Sequence, residues 1–325
     1  MTSATFRPAW WLPGPHLQTI WGKKVRRVAF EHDRVEQFRM PDGDCVSVAR
    51  MGQTQPDVPH LLVLHGLEGS ISATYAHGLL GHARKRRWTG DLLLFRTCDG
   101  RMNVAPRMYH AGETSDLDAV ARQLVKARHG RPIVVVGVSL GGNVLLKWLG
   151  ELGIEGQSLV QRAVAISVPA DLAAGSRQME RGITRLYARH FLATLKPKAL
   201  AKAEQHPGCL HVPDVLAATT FWEFDEAVTA PLHGFQNAAD YYARSSSIAF
   251  IERVTVPTLI LCARDDPFIP PSTLDQLEAT ARTAPSINVE ITDSGGHVGW
   301  VSGSPVTPKY YMEVRATEFL DGGDK

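Results

Sequence analysis

The chain has 325 residues, of which 44% are hydrophobic and 21% are charged, a globular composition that suits one large α/β domain carrying an insertion. Its 35 basic and 33 acidic side chains leave a net charge of +2, which gives no reason to expect a nucleic-acid partner. No stretch approaches the ~20 uninterrupted apolar residues of a membrane span, and we expect neither a signal peptide nor a membrane anchor.

Up to residue 113 the sequence predicts a hairpin, two strands and one helix. Residues 1–36 are predicted to be irregular. From Phe38 to Arg50, two short runs flank Pro41-Asp42-Gly43-Asp44, and the Asp-Gly pair favours a tight hairpin turn. There follow, in order, a buried strand, a helix, a second buried strand and a long loop, at 61–64, 79–88, 92–95 and 96–113.

From residue 115 onward the pattern alternates between helices and strands. Ser115-Asp116-Leu117-Asp118 resembles a capping box with Asp in place of Glu, which predicts a helix start, and Gly130 predicts its end. The next predicted elements are a strand at 133–136, a helix at 144–149, and strands at 164–166, 259–261 and 287–291. Such alternation predicts an α/β fold with a mostly parallel central sheet flanked by helices.

The alternation is interrupted between about residues 169 and 248. This stretch has a helical pattern and is rich in aromatic residues: Phe221, Trp222, Phe224, Phe235, Tyr241 and Tyr242. Because it lies between two predicted sheet strands, we interpret it as a helical cap inserted into the core. The predicted domains are therefore a core of residues 1–168 and 249–325 and a cap of residues 169–248.

The central chemical feature is the segment Gly137-Val138-Ser139-Leu140-Gly141-Gly142, between a predicted strand and a predicted helix. A sharp strand-to-helix turn lifts a serine hydroxyl clear of the sheet, and glycines two residues to either side avoid Cβ clashes in the turn. The helix N-terminus beneath the reacting centre favours negative charge. This arrangement predicts Ser139 as a nucleophile.

A neutral serine is a weak nucleophile, so it needs a base and a carboxylate that orients the base. In this arrangement they follow along the chain in the order serine, acid, histidine. We assign Asp266 as the acid because Pro270 follows it at the expected spacing, and Asp265 remains the alternative. His297 is the predicted base, because its glycine-rich loop follows the last predicted strand and can bring the imidazole over the serine.

Two backbone amides are expected to stabilise the oxyanion that forms when a serine attacks a carbonyl. One should come from Leu140, the residue after the nucleophile. The other should come from the loop after an earlier strand, where His65-Gly66-Leu67 fits and Leu67 is our choice. We expect His65 to brace this loop rather than to transfer protons.

Several segments together resemble one known family: His16-Leu17-Gln18-Thr19, His65-Gly66-Leu67-Glu68-Gly69, Tyr109-His110-Ala111-Gly112-Glu113-Thr114, Gly137-Val138-Ser139-Leu140-Gly141-Gly142-Asn143, Phe221-Trp222-Glu223-Phe224-Asp225, Asp265-Asp266-Pro267-Phe268 and Gly295-Gly296-His297-Val298-Gly299. They resemble the YheT-type hydrolases of the AB-hydrolase-4 family, within the α/β-hydrolase superfamily. That family includes the ABHD1/ABHD3-type lipases and the yeast medium-chain ethyl-ester synthases. The resemblance implies an α/β-hydrolase fold, ester hydrolysis, and Ser139, Asp266 and His297 as the catalytic triad.

One position departs from this resemblance, and one segment within it has no assigned role. The family usually has Arg-Gly after the second strand, whereas here Arg96 is followed by Thr97. The segment Gly112-Glu113-Thr114 could either cap the following helix or reach the site.

The leading functional hypothesis is a serine carboxylesterase that hydrolyses short- to medium-chain esters through an acyl-enzyme intermediate. One alternative is an acyltransferase that passes the acyl group to an alcohol or a thiol. A remote alternative is a non-catalytic ligand-binding member of the fold, against which all three triad residues are present.

The expected ligand is a small-molecule ester with an apolar acyl chain, held by the aromatic cap. We expect no cofactor and no metal, since no histidine shows a strong metal-binding spacing. The four cysteines form no CxxC pair and favour free thiols in a reducing compartment, hence a cytoplasmic location. The oligomeric state is left open.

Overall fold

The computed structural model describes residues 6–323, and its framework is an eight-stranded sheet. The strands of this sheet are β1 (Arg34–Arg39), β2 (Cys45–Met51), β3 (His60–Leu64), β4 (Thr89–Leu94), β5 (Ile133–Val138), β6 (Val160–Ile166), β7 (Thr258–Ala263) and β8 (Ile287–Thr292). Their spatial order is β1-β2-β4-β3-β5-β6-β7-β8. β2 pairs antiparallel with both of its neighbours, β1 and β4, and the pairs among the other six strands are all parallel, which confirms the predicted mostly parallel sheet.

Helices cover both faces of the sheet. They are α1 (Pro15–Lys24), α2 (Thr74–Lys85), α3 (Ser115–Ala127), α4 (Leu140–Leu152), α5 (Gly156–Leu159), α6 (Leu172–Gln178), α7 (Thr184–Gln205), α8 (Val212–Ala217), α9 (Phe221–Phe224), α10 (Ala230–His233), α11 (Ala238–Ser245), α12 (Pro271–Ala281) and α13 (Tyr311–Leu320). Alternate residues of β3 enter different cores, with Leu62 facing the helices α3, α4 and α12 and Leu61 facing α2 and α13. A short hairpin, β9 (Val301–Gly303) and β10 (Pro308–Tyr310), was not predicted.

The parallel arrangement brings four chain segments to one edge of the sheet. In the hydrogen-bonded register, Leu64 at the end of β3 pairs with Gly137, and Val138 at the end of β5 pairs with Ile166. β7 and β8 end beside them at Ala263 and Thr292. The segments that directly follow these strands contain every residue that the sequence predicted for the site.

The chain between β6 and β7 is helical and contains α6 to α11. A π-helical turn, Asp225–Thr229, separates α9 from α10. Several apolar residues of this segment form a cluster apart from the two cores of the sheet, among them Leu192, Leu195 and Phe224. The division into a core and a cap of residues 169–248 stays a prediction.

The prediction that residues 1–36 are irregular is wrong for part of that range, because α1 lies within it and β1 begins at Arg34. Residues 1–5 lie outside the described part. The buried residue of α1 is Gln18. Its side-chain oxygen accepts the Val301 amide at 2.7 Å, and its side-chain nitrogen donates to the Val301 carbonyl at 3.1 Å. Because a polar side chain anchors the helix, no hydrophobic periodicity could reveal it.

The predicted capping box at Ser115 is also wrong. Thr114 is the N-cap residue of α3 and makes no side-chain cap, while the Glu113 carboxylate accepts hydrogen bonds from both the backbone N–H (2.8 Å) and the hydroxyl of Ser115. Of the two roles open to Gly112-Glu113-Thr114, the structure therefore supports capping the following helix. A Cβ on Gly112 would lie 2.3 Å from the Ser245 hydroxyl oxygen, so this position also requires a close approach.

Thr97 occupies a strained position beside a buried ion cluster. Arg96 is buried and binds both carboxylate oxygens of Asp116, at 2.6 and 2.7 Å, which fixes the chain at this point. Thr97 has a φ of 67°, a conformation that β-branched residues avoid, and its buried hydroxyl has no hydrogen-bond partner. A glycine at this position, as in the resembled family, would have neither a strained backbone conformation nor an unpaired hydroxyl.

We expect Thr97→Gly to raise the free energy of unfolding by about 1 kcal/mol. Relief of backbone strain (~1–3 kcal/mol) and of an unpaired hydroxyl outweighs the ~0.5–1 kcal/mol of chain entropy that glycine adds to the unfolded state. Urea denaturation measures the change. Thr97→Ala is the matched control, since it removes the hydroxyl but keeps the Cβ, and it should gain less. A less stable glycine variant would contradict the strain argument.

The described part of the chain can be compared with the requirements of a membrane span, a metal site and a disulfide. Among residues 6–323, no helix combines the length and apolar character needed to cross a membrane. The same part of the chain has no group of three or more His, Cys, Asp or Glu side chains arranged to hold a metal ion. All four cysteines are free.

Candidate active site

Ser139 lies in the turn between β5 and α4 with φ 54° and ψ −119°, a conformation that side chains rarely adopt. The turn depends on its flanking glycines. A Cβ on Gly137 would lie 2.4 Å from the carbonyl oxygen of Gly141, and a Cβ on Gly141 would lie 2.6 Å from that of Leu64. The Ser139 amide donates to the carbonyl of Ile166 at 2.8 Å, which ties the turn to the neighbouring strand. The serine hydroxyl is thereby held at the carboxyl edge of the sheet.

The structure brings Ser139, His297 and Asp266 into one hydrogen-bonded series. The Nε2 atom of His297 lies 2.9 Å from the Ser139 Oγ, and its Nδ1 atom lies 2.8 Å from the Asp266 Oδ2. The imidazole is almost buried and packs against the tilted Phe268 ring, with centroids 4.4 Å apart. With Nδ1 donating to the carboxylate, Nε2 is free to accept the serine proton.

The two adjacent aspartates have different partners. The Asp266 side chain is buried, and its second oxygen, Oδ1, accepts the Phe268 amide at 2.8 Å, which fixes the carboxylate toward the imidazole. Asp265 instead accepts the Gly296 amide at 2.9 Å, and burial raises its pKa. Asp266 is therefore the residue that contacts His297, while Asp265 holds the loop on which the histidine is carried.

Helix α1 also holds the His297 loop, and its residues were not among the predicted site residues. The His297 amide donates to Thr19 Oγ1 at 2.9 Å, and a Cβ on Gly296 (φ 60°) would lie 2.5 Å from the Pro15 carbonyl oxygen. Gln18 binds Val301 just beyond the loop. The only sequence signal was His16-Leu17-Gln18-Thr19, which belonged to the family resemblance without any assigned role.

The two amides predicted for the oxyanion are both available. Gly66 donates its amide to the Tyr75 hydroxyl at 2.8 Å, and Glu68 donates its amide to the Tyr109 hydroxyl at 2.9 Å. Between them, the Leu67 amide has no hydrogen-bond partner in residues 6–323, and neither has the Leu140 amide at the start of α4. Both tyrosines thus fix the loop and leave Leu67 N–H unused, a detail that sequence reasoning missed.

His65 braces the same loop. Its Nδ1 atom donates to the Gly66 carbonyl at 2.8 Å, and its Nε2 atom accepts the Phe95 amide at 3.1 Å. Complete burial lowers the pKa of His65 to about 4, so the ring is neutral near pH 7. These contacts fit the predicted bracing role and leave no nitrogen free for proton transfer.

A cavity of about 620 Å³ opens above Ser139 and His297. Its wall on the side of the helical segment is largely apolar and includes Met179, Phe191, Leu195, Phe221 and Phe224. Pockets of this size with apolar walls and a few polar groups are typical of small-molecule sites. An acyl chain can lie against this wall while its carbonyl carbon sits beside the serine.

Asp225 is the one carboxylate that the helical segment between β6 and β7 contributes to the cavity wall, and it begins the π-helical turn. Its carboxyl group accepts hydrogen bonds from the hydroxyls of Thr229 (2.5 Å) and Tyr242 (2.6 Å). Burial raises the pKa of Asp225 to about 6, and the two hydroxyls only partly offset this.

This shift predicts a pH-dependent stability. Below about pH 4 the Asp225 carboxyl group is protonated in both the folded and the unfolded protein. Between about pH 4 and 6 it stays protonated mainly in the folded protein, because its pKa is higher there. The wild type should therefore lose stability relative to Asp225→Asn as pH rises through this window, with no further relative change above it. Urea denaturation of both proteins from pH 4 to 8 measures the difference. A constant difference across that range would contradict the assignment.

Comparisons with known proteins show the family to which the chain belongs. A family model described as the alpha/beta hydrolase fold matches residues 59–303. The "Putative esterase YheT" of Escherichia coli (strain K12) is 37% identical, over 98% of this chain and 94% of its own length. The Saccharomyces cerevisiae "Medium-chain fatty acid ethyl ester synthase/esterase 2" is 27% identical, over 75% of this chain and 58% of its own length.

Solved structures show the same fold. The Pyrococcus furiosus esterase Pf2001 superposes with a TM-score of 0.58 at 16% identity, covering 90% of this chain and 93% of that one. The predicted resemblance and fold class are both confirmed. The chain belongs to the α/β-hydrolase family and, within it, to the group that includes the YheT protein.

Proposed function

We propose that the protein is a serine carboxylesterase acting on short- to medium-chain esters, with Ser139 as nucleophile, His297 as base and Asp266 as the residue that orients the base. The observation that carries this proposal is the hydrogen-bonded series from Ser139 to His297 to Asp266 at the floor of an apolar cavity. The similarity to the YheT protein and to the yeast relative, both of which are named as esterases, supports the same reaction class.

In the first half-reaction, the Ser139 oxygen attacks the ester carbonyl carbon while His297 Nε2 takes the hydroxyl proton. The carbonyl oxygen becomes an oxyanion that accepts hydrogen bonds from the Leu67 and Leu140 amides, and the dipole of α4 favours its charge. When the tetrahedral intermediate collapses, the bond to the leaving oxygen breaks and His297 gives that oxygen the proton. The alcohol departs and an acyl-Ser139 ester remains.

The second half-reaction repeats these steps with water. His297 takes a proton from water, whose oxygen attacks the acyl carbon, and the Ser139 oxygen leaves with the proton returned by the imidazole. The products are the carboxylic acid and free enzyme. Asp266 stabilises the positive imidazole in both halves and keeps its Nε2 atom directed at the serine.

A series of p-nitrophenyl esters of increasing acyl length tests this proposal. We expect kcat/KM to rise with each methylene that contacts the apolar wall and to be greatest for short to medium chains. A fluorophosphonate should label the wild-type protein covalently and stop turnover. A folded wild type that is neither labelled nor active would instead support a non-catalytic ligand-binding role.

The yeast relative is named as an ester synthase as well as an esterase, which favours a second candidate function, acyl transfer. In that reaction an alcohol replaces water in the second half-reaction. The same three residues would serve, and the product would be a new ester. Product analysis with an ester donor and added ethanol separates the two: transfer requires the new ester to exceed the free acid. The cytoplasmic location stays a prediction.

A further inference from the structure

A group of four polar residues lies in the part of the cavity wall that the helical segment forms: Asp225, Thr229, Tyr242 and Ser176, here called the cap hydroxyl cluster. Tyr242 donates to the Asp225 carboxyl group at 2.6 Å and lies 3.2 Å from the Ser176 hydroxyl. Thr229 donates to the other carboxyl oxygen at 2.5 Å. The cluster joins α6, α11 and the π-helical turn, and all four members line the cavity.

The internal contacts of the cluster leave hydrogen-bonding capacity unused. A carboxylate can accept about four hydrogen bonds, and Asp225 accepts two. No Lys, Arg or His within residues 6–323 forms an ion pair with Asp225, so its charge is not compensated by the protein. Burying an acidic group without a full set of partners is unfavourable, and apolar side chains would fill the same space without this penalty.

The backbone around Asp225 and its exposure both direct the cluster toward the cavity. Asp225 starts a π-helical turn, and such turns often occur at functional sites because they redirect side chains. Asp225 keeps some accessible surface although burial dominates the shift of its pKa. Asp225 lines the same cavity as Ser139, so a ligand bound in that cavity can contact it.

We propose that the cap hydroxyl cluster is a subsite for a hydroxyl group on the acyl chain of the substrate, so that hydroxyacyl esters are preferred over plain acyl esters of equal length. The proposal rests on the esterase function proposed above, with the acyl chain lying against the apolar wall. A substrate hydroxyl can donate to an unused position of Asp225, and it can accept from Ser176 once the Ser176 hydroxyl turns from Tyr242 to the substrate. An ammonium group fits less well, because moving a charged group from water to an apolar wall costs more free energy than moving a hydroxyl.

Matched pairs of p-nitrophenyl esters test the subsite: hexanoyl, octanoyl and decanoyl esters, each with and without a hydroxyl on the terminal carbon. We expect the wild type to prefer the hydroxylated member of at least one pair by about tenfold in kcat/KM, the gain typical of one charge-assisted hydrogen bond. Asp225→Leu should bring that ratio to about one. The ratio is taken within each variant, so partial loss of folded enzyme does not affect it.

The neighbouring Glu226 provides the matched control. Its carboxylate accepts the Ala238 amide at 2.7 Å, and it does not line the cavity, so Glu226→Gln should keep the tenfold preference. If Asp225→Leu does not fold, Ser176→Ala removes one member of the cluster and should lower the same ratio. A wild-type ratio of about one for every pair, a preference retained in Asp225→Leu, or a terminal ammonium preferred over the hydroxyl would each overturn the proposal.

A binding measurement separates failure of the subsite from failure of the esterase proposal. Calorimetry compares the affinities of hydroxylated and plain fatty acids, the products of the proposed reaction, without any turnover. We expect about tenfold tighter binding of the hydroxylated acid at the best chain length. Equal affinities would overturn the subsite whether or not the protein hydrolyses esters, whereas a tenfold difference without turnover would overturn only the esterase proposal.

Discussion

Ser139→Ala is expected to lower ester turnover by roughly 10⁶-fold, the loss found when the serine of the subtilisin triad is removed. The reason is chemical, since alanine has no oxygen to form the acyl-enzyme and water must attack the carbonyl directly. The free energy of unfolding should change by less than about 1 kcal/mol, because alanine keeps the Cβ and the backbone of the turn. Initial rates with a p-nitrophenyl ester and urea denaturation measure the two quantities.

Covalent labelling provides the control for this prediction. Ser139→Ala should no longer react with a fluorophosphonate, whereas Ser158→Ala, which changes an exposed serine of α5, should be labelled and should remain active. If Ser139→Ala kept more than about one hundredth of wild-type turnover, another residue would have to be the nucleophile.

Asp266→Asn should lower turnover by roughly 10⁴-fold, the figure for the equivalent change in a serine protease. The Asp266 carboxylate accepts the proton on His297 Nδ1 at 2.8 Å and so leaves Nε2 ready to take the serine proton. An asparagine amide that donates to Nδ1 would favour the opposite tautomer and would leave a proton on Nε2. The geometry would be kept while the base is disabled, so the variant should stay folded and lose kcat.

Asp265→Asn is the matched control, since the two aspartates are adjacent and differ in their partners. The Asp265 side chain accepts the Gly296 amide, and an asparagine oxygen can do the same, so we expect a loss of less than about tenfold. Greater damage from Asp265→Asn than from Asp266→Asn would show that the acid is wrongly assigned.

The sequence was most informative where the determinants are local. The turn at Ser139 needs glycines at 137 and 141 because a Cβ at either position would collide with a backbone carbonyl. Such collisions involve residues near in sequence or on the adjacent strand, so they leave a recognisable motif. The strands were similarly visible, because a strand buried on both faces is a continuous apolar run.

Prediction from the sequence failed where the contact that fixes an element is made by a polar side chain. Helix α1 was predicted as irregular because its buried contact is Gln18, which binds a backbone segment 283 residues away. The start of α3 was assigned to a capping box, yet the capping oxygen belongs to Glu113, two residues before Ser115. Neither interaction follows a hydrophobic period, so pattern reasoning could not detect it.

By itself, the sequence determined the order of the eight sheet strands and the serine turn, because these depend on short-range sterics and on hydrophobic periodicity. Only the tertiary structure decided which aspartate contacts His297, how Thr19 holds the histidine loop, and that Asp225 meets Tyr242 and Ser176 in the cavity wall. Those contacts join residues 17 to 278 positions apart. They form only when separate elements pack against each other, so the spacing of residues along the chain does not predict them.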